Sequence, residues 1–412
     1  MLRVLEGGVT FPRGFKAAGV HCGIKRKKRD LAVILCTEGA KPAAGAFTTN
    51  LVKAAPVEVT IKHLRDGVLG CVVINSGVAN CYTGERGYKD ALKMAELAAE
   101  LAGLKVTDVA VGSTGVIGKP LPVEKVEKGI REAFKKLSNT PEAGLEAAEA
   151  ITTTDTRVKQ VAVEVTLEDG TRVRIGGMAK GAGMIAPKLK VPRATMIAVL
   201  TTDVNASSKV LARYLAGAVE ESFNMLTVDG DTSTNDMVLL LSSGLAGNRK
   251  LTVRSGSKAF KEALEVACVE LAKQIAMDGE GSSKYVEVEV KGAKTVKEAK
   301  CAAKAVASSI LVKCAIYGCD LNWGRILAAL GYSGARFDPY KISIAVEGGG
   351  DTVEVVKNGK PLVKPGDKGA SAVMRNRAVK LIIDLNVGNC SAKAFGCDMT
   401  ERYVKLNALY TT

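Results

Sequence analysis

Apolar residues recur along this chain with two periods. Short runs rich in Val, Ile, Leu and Ala, closed by glycine or polar turns, predict strands at Leu31–Cys36, Gly45–Thr49, Val57–Ile61, Gly70–Asn75, Val109–Ser113, 158–165, 171–175, Ile197–Leu200 and Met237–Leu241. Between them lie stretches with a 3.6-residue period. In Gly87–Leu104 the residues Ala91, Met94, Ala95, Ala98 and Ala102 fall on one face, which predicts an amphipathic helix. Val123–Leu137, Ser207–Met225, Ser257–Met277 and Val296–Ser308 read the same way, with Ser207 and Ser257 as candidate N-caps. Glu168-Asp169-Gly170 predicts a hairpin turn. Residues 7–19 are turn-rich and are expected to wrap the surface. From Tyr285 onward the chain alternates strictly and reads as an edge strand. A short apolar helix follows Trp323, Ile342–Glu347 and Thr352–Lys357 form a hairpin-like pair, and Ser371–Val379 reads as helical. Leu381–Leu385 and the closing segment Tyr403–Ala408 count with the last strands. Strands interleaved with helices imply an α/β protein.

Composition narrows this picture. The chain has 412 residues, enough for more than one core, and two domains are expected, at 1–280 and 281–412. Aromatics are only 4% of residues and glycines number 43, so the core must be built from small aliphatic side chains packed closely. No charge-free apolar run is long enough to span a bilayer, and the start MLRVLEGGVTFPRGF lacks a signal-peptide apolar region, so a cytoplasmic location and no membrane partner are expected. Ten cysteines sit mostly in apolar runs without CxxC spacing, as suits a reducing compartment. With only His21 and His63 present, neither a zinc site nor a Ser-His-Asp enzyme is favoured. The formal charge is +15 and is densest at Lys25–Arg29. No aromatic residue is interleaved with that patch, so attraction of anionic metabolites explains it more simply than nucleic acid does.

The chemistry concentrates around KGAGMIAPKLKVPRATMIAVLTTD, residues 180–203. Thr195 precedes an apolar strand and follows a basic, proline-bounded loop. Read alone, it is an ordinary β-branched residue at a strand start. If the bond between Ala194 and Thr195 were cut, however, its hydroxyl would lie beside a free α-amino group, placing nucleophile and general base in one residue. Upstream, Ser113-Thr114-Gly115 ends a strand in a glycine turn. Backbone N–H groups there, with the Thr114 hydroxyl, could meet a developing oxyanion; a plain turn before a helix is the other reading. Lys180 and Glu280 offer opposite charges for the carboxylate and amine of an amino acid. Asn75 and Asn80 are placed to hold the turn in NSGVAN through side-chain bonds to backbone. The polar TVDGDTSTN, residues 227–235, reads as a structural or site-lining loop. Its Asp229 and Asp231 lack EF-hand spacing, so no metal is assigned.

Taken together, STGVIG, TTDT, KGAGM, ATM, TVDGDTSTND, DGEG and CDLNWGRI resemble the glutamate/ornithine N-acetyltransferase family of arginine biosynthesis. The resemblance implies a layered αββα sandwich with a smaller second α+β domain. It implies self-cleavage between Ala194 and Thr195 into an α chain, 1–194, and a β chain, 195–412, associated as an α2β2 heterotetramer. Thr195 would be the acetyl-carrying nucleophile, and Thr114 with Gly115 the oxyanion hole. Thr154, Lys180, Thr195, Glu280, Asn407 and Thr412 would contact substrate. The implied reaction moves acetyl from N-acetylornithine to glutamate and needs no cofactor; some members also take acetyl from acetyl-CoA. One departure is visible: the loop from Pro187 to Ala194 is longer than the family's usual pattern. The rival class is an N-terminal-nucleophile amidohydrolase or aminopeptidase of related fold.

Overall fold

A computed structural model describes residues 1–186, 188–190, 196–364 and 367–409. The strand Ile197–Thr202 pairs in parallel with Met237–Ser242 on one side and antiparallel with Arg172–Lys180 on the other. Its alternation is two-sided. Ile197 and Val199 join one hydrophobic cluster, while Ala198 and Leu200 join another, as the two-residue period of a strand demands. The sheet around it has eight strands, running Leu2–Leu5, Lys159–Thr166, Arg172–Lys180, Ile197–Thr202, Met237–Ser242, Lys41–Thr48 and Leu189–Lys190, with Val68–Leu69 paired to Lys41–Thr48.

A second, four-stranded sheet is ordered Phe15–Val20, Leu31–Cys36, Cys71–Val78 and Val109–Val116. Its inner residues Phe15, Ile34, Val72, Ile74 and Ala110 share a cluster with Phe47, Met178, Ile197, Val199, Met237 and Leu239 of the larger sheet. That cluster is the dry layer between the two sheets. The outer face of the smaller sheet, through Val33, Val73 and Val111, packs on Gly84–Ala102 and Val123–Lys136. The outer face of the larger sheet packs on Ser208–Glu221 and Lys258–Met277. The order is therefore helix, sheet, sheet, helix, the expected αββα sandwich. Alanine is abundant at these contacts, which lets the layers approach closely with few aromatics.

A third sheet, of seven strands, is drawn mainly from the last part of the chain and runs Leu226–Thr227, Cys390–Cys397, Tyr285–Ala293, Ala378–Asp384, Ser343–Gly348, Asp351–Lys357 and Lys360–Pro361. Leu226–Thr227 joins it from the earlier part, and the core cluster outside the larger sheet continues into it.

Several local expectations are corrected. The end of the turn-rich stretch, from residue 15, belongs to Phe15–Val20, a largely buried edge strand of the smaller sheet. Val57–Ile61 lies in the helix Ala55–His63, not a strand. Pro56 sits in its first turn, and Val57, Val59 and Thr60 are buried; packing overrides β-branched propensity, and proline favours a helix start. Tyr285–Ala293 is interior, with partners on both sides. Its alternation reports one buried face, which an interior antiparallel or mixed strand also has. Ser371–Val379 splits into a 3₁₀ turn, Ala370–Arg375, and the strand Ala378–Asp384. Glu401–Leu409 is a helix. Ser257 caps its helix by accepting from Phe260 N, but Ser207 makes no side-chain cap bond. Among the described residues no helix is long and apolar enough to cross a membrane, and no group of His, Cys, Asp and Glu is arranged to hold a metal ion.

Candidate active site

The smaller sheet delivers the first wall of the site. Cys71–Val78 and Val109–Val116 run in parallel, with Ser76 opposite Thr114 and an irregularity at Gly77 and Val78 where pairing ends. Buried amides hold this edge. Ser113 Oγ donates to Asn75 Oδ1 at 2.6 Å, and Asn75 Nδ2 donates to Val78 O at 3.0 Å. Asn235 Nδ2 donates to both Ala79 O at 2.6 Å and Ser113 O at 2.8 Å. Asn75 thus holds the turn of NSGVAN as expected, whereas Asn80 Nδ2 donates to Gly87 O at 2.8 Å, in the helix that follows and not in the turn. Gly115 has φ of 132°, and a Cβ there would lie 2.3 Å from the carbonyl carbon of Gly77. Only glycine lets the two strands come this close.

The larger sheet delivers the second wall. Lys180 is the last residue of Arg172–Lys180, paired with Ile197. Its ammonium donates to Thr114 Oγ1 at 3.2 Å, and the two residues are only 9% and 7% exposed. An ammonium has no acceptor, so the Thr114 oxygen must accept, which leaves the Thr114 proton free for another acceptor in the cavity. The contact thus orients the hydroxyl as a donor.

The opposite pole is acidic. Glu280 N donates to Ala182 O at 2.9 Å, which fixes the DGEG turn beside KGAG. Asn407 Nδ2 donates to Glu280 Oε2 at 3.0 Å from the C-terminal helix. A Cβ on Gly183 would lie 2.4 Å from the Glu280 carboxylate, so glycine makes room for that side chain. Asp229 accepts from the backbone N of Met184 and Ile185 at 2.7 and 2.9 Å. Burial pushes its carboxyl up from the usual range. Burial, then the Asp229 charge and a hydrogen bond to it, push the Tyr403 phenol up.

Behind both poles lies a buried ion chain. Lys159 Nζ is 2.6 Å from Asp155 Oδ1 and 2.6 Å from Asp278 Oδ2. Asp155 Oδ1 also accepts from Gly181 N at 2.7 Å, and Asp155 Oδ2 from Thr153 N at 2.9 Å. Burial alone would raise the Asp155 carboxyl, but the Lys180 and Lys159 charges and its hydrogen bonds hold it well below the usual carboxylate range. Removing one partner of such a buried pair costs about 3–5 kcal/mol.

These elements enclose a cavity of about 210 Å³ lined by Thr114, Gly115, Thr154, Lys180, Glu280 and Asn407, together with Asp229, Asn235 and Tyr403. Six residues singled out from the sequence therefore meet in one place. Ala194, Thr195 and Thr412 lie outside the described residues, as does most of the loop from Pro187 to Ala194. The residue after Thr195, Met196, is buried and has φ of 94°, and its carbonyl accepts from Met237 N at 2.5 Å. A non-glycine residue there is strained, and such strain clusters at functional sites. Asp155, Asp229, Asn235 and Tyr403 had no assigned role in the sequence. Asp155 sits within TTDT beside Thr154, and the polarity of 227–235 pointed to its loop, but nothing local marked Tyr403.

The model of the ArgJ family matches residues 16–412. The arginine biosynthesis bifunctional protein ArgJ of Symbiobacterium thermophilum is 50% identical over 412 residues, covering 99% of both chains. The glutamate N-acetyltransferase of Methanothermobacter thermautotrophicus is 47% identical over 414 residues, covering 100% of this chain and 99% of its own. A solved ornithine acetyltransferase from Mycobacterium tuberculosis, complexed with ornithine, is 44% identical over 46% of this chain and 100% of that chain, at a TM-score of 0.43. With a family match over nearly all its length and relatives this similar end to end, the chain belongs to the ArgJ family.

Proposed function

We propose that this chain transfers the acetyl group of N2-acetyl-L-ornithine to L-glutamate, in arginine biosynthesis, through an acetyl ester on Thr195. The observation that carries the reading is the cavity itself. It sets a donor pair, Thr114 and Gly115, beside opposite charges on Lys180 and Glu280, next to the strand that follows Thr195. Lys180 takes the α-carboxylate of either amino acid, and Glu280, with Asn407, the amine that carries a positive charge. Thr154 and Thr412 complete the substrate contacts.

Processing comes first. Thr195 Oγ attacks the Ala194 carbonyl carbon, the amide becomes an ester, and water hydrolyses that ester. The products are chains 1–194 and 195–412, and the Thr195 amine is freed. Met196, the residue after Thr195, carries a strained φ, as residues at functional sites often do. In the cycle, Thr195 Oγ attacks the acetyl carbonyl, and its own amine takes the hydroxyl proton. Thr114 Oγ1–H and the N–H near Gly115 stabilise the oxyanion. The proton passes to the leaving amine and ornithine departs. The glutamate amine then attacks the ester carbonyl and restores the hydroxyl. The acetyl group is only moved, so no cofactor takes part. The two chains, a catalytic unit of 1–280 and a second unit of 281–412 are read as assembling into an α2β2 heterotetramer in the cytoplasm.

Acetyl-CoA as a second acetyl donor has one observation in its favour. A cleft of about 660 Å³ shares Thr153, Thr154 and Glu280 with the cavity and carries the cations Lys28, Arg157, Arg377 and Arg402. Phosphate groups would be met there by charge.

The test is to incubate purified protein with N-acetylornithine alone, quench, and map acetyl by peptide mass. Fragments 1–194 and 195–412 are expected, with acetyl on the Thr195 side chain that is lost when glutamate is added. Acetate release that outpaces transfer to glutamate would instead favour the amidohydrolase reading. The same incubation with acetyl-CoA in place of N-acetylornithine decides the second donor.

Glu280→Gln is expected to raise KM for N-acetylornithine and glutamate alike, because a ping-pong enzyme uses one pocket in turn. Loss of a charged hydrogen bond of about 1.5–3 kcal/mol corresponds to roughly ten- to a hundredfold. Steady-state kinetics with each substrate varied in turn checks this, and unchanged KM values remove Glu280 from recognition.

A further inference from the structure

The poles of the cavity come from segments far apart in sequence, and no backbone ladder joins them directly. Lys180 ends a strand of the larger sheet, whereas Glu280 follows the helix Lys258–Met277. One backbone bond, Glu280 N to Ala182 O, ties the two segments, and a buried ion chain braces them from behind. Asp155 Oδ1 accepts from Gly181 N, the residue after Lys180, and from Lys159 Nζ. Lys159 Nζ reaches on to Asp278 Oδ2 in the turn that carries Glu280. Asp278 also accepts from Thr156 N at 3.0 Å, from Arg157 N at 3.2 Å and from the Thr156 hydroxyl. The side chains of Lys159, Asp155 and Asp278 are 1%, 0% and 3% exposed, so water neither screens nor replaces these contacts. One segment, 153–159, thus binds both poles with charged groups that cannot slide. Thr154, which lines the cavity, lies inside it.

We infer that Asp155, Lys159 and Asp278 are positioning residues that help set the distance between Lys180 and Glu280, and so favour ligands that present a carboxylate and a cationic side-chain amine at the spacing ornithine offers. This rests on the reading of Lys180 and Glu280 as the two poles for an amino acid. A ligand that bridges both poles gains from each only if their separation matches its own, and a misplacement of about 1 Å can cost on the order of a hundredfold. A ligand that touches one pole is indifferent to that separation. The chain also holds one ammonium between two carboxylates. Its surplus negative charge faces Lys180, which is foremost among the charges keeping Asp155 ionised. Removing the charge of Asp278 leaves Lys159 paired with Asp155 and the amide of the variant still able to hydrogen-bond, so a stability loss is expected and thermal melting is recorded beside the binding.

The experiment compares two ligands on the processed protein by calorimetry: ornithine, which spans both poles, and pentanoate, a carboxylate that lacks the amines. In Asp278→Asn, an amide oxygen still accepts from Thr156 and Arg157, but the ion pair is gone. Ornithine affinity is expected to fall at least tenfold while pentanoate affinity stays within a factor of two. KM for N-acetylornithine should rise similarly, with kcat changed far less. Thr156→Val, which removes only a hydroxyl contact to Asp278, should move ornithine in the same direction by a smaller factor, and covers the case in which Asp278→Asn does not fold. Equal loss of both ligands, or unchanged ornithine affinity in both variants, overturns the positioning role. Failure of the underlying two-pole reading shows elsewhere: Lys180→Met would then leave pentanoate and ornithine binding to otherwise wild-type protein unaltered.

Discussion

Thr195→Ala leaves the chain whole and abolishes acetyl transfer. The expectation follows from the double duty of one residue. Without Oγ there is no atom to attack the Ala194 carbonyl, so the amide cannot become an ester and no N-terminal amine is released. Without Oγ there is likewise no acceptor for acetyl. Both losses are complete in kind, which makes this the largest effect expected of any single substitution. Thr195→Ser keeps a hydroxyl and should retain cleavage and some transfer, at reduced rate, because serine lacks the methyl that restricts χ1. Intact mass and a transfer assay on the two variants check this. Transfer persisting in Thr195→Ala would sink the covalent mechanism. In the wild type, activity should fall as pH drops through the apparent pKa of the Thr195 amine. Protonation removes the base, and an α-amino group starts from about 7.7–8.0 before its site perturbs it.

Thr114→Ala is expected to lower kcat by roughly a hundred- to a thousandfold with little change in stability. Loss of one preorganised oxyanion donor typically costs about 3–4 kcal/mol in the transition state. The geometry argues for the upper part of that range. Lys180 donates to Thr114 Oγ1, so the Thr114 proton is already turned toward another acceptor before substrate arrives. Thr114 is nearly buried, so water cannot take over the role in alanine's place. The strand around it is held by Asn75 and Asn235 through backbone and side-chain groups of neighbours, none of them the Thr114 hydroxyl, so the fold should survive. Single-turnover transfer from N-acetylornithine, with thermal melting as a control, reads the two effects apart. An unchanged rate removes Thr114 from the chemistry.

Much of the scaffold was legible in residue patterns because burial in a layered fold follows period. Ile197 and Val199 face one core and Ala198 and Leu200 another, as a strand inside a sandwich must. The helices Gly84–Ala102 and Val123–Lys136 have one apolar stripe each, and each covers one sheet. The errors came where pattern and packing part company. Val57–Ile61 is β-branched and apolar, yet it is helical, since Pro56 opens a helix and the buried side belongs to a helix layer. Tyr285–Ala293 alternates in the interior of a sheet, because alternation reports a one-sided core and carries no information about neighbours.

By itself, the sequence determined the layered α/β character of the chain, most of its strands and helices, and the residue types able to do acyl transfer: a threonine that cleavage could free, a Thr-Gly turn, a lysine and a glutamate flanked by glycines. These are local facts, set by side-chain period, turn chemistry and the functional groups themselves. Only the tertiary structure decided that Thr114, Gly115, Thr154, Lys180, Glu280 and Asn407 share one cavity. It alone supplied Tyr403 and Asp229 as neighbours of the acidic pole and showed that Lys159 ties Asp155 to Asp278 across the back of the site. The physical reason is that the contacts closing the site join distant residues, from 66 positions apart for Lys180 and Thr114 to 127 for Asn407 and Glu280, brought together by sheet order and layer packing. Neither is written in any window of the chain short enough to have a period.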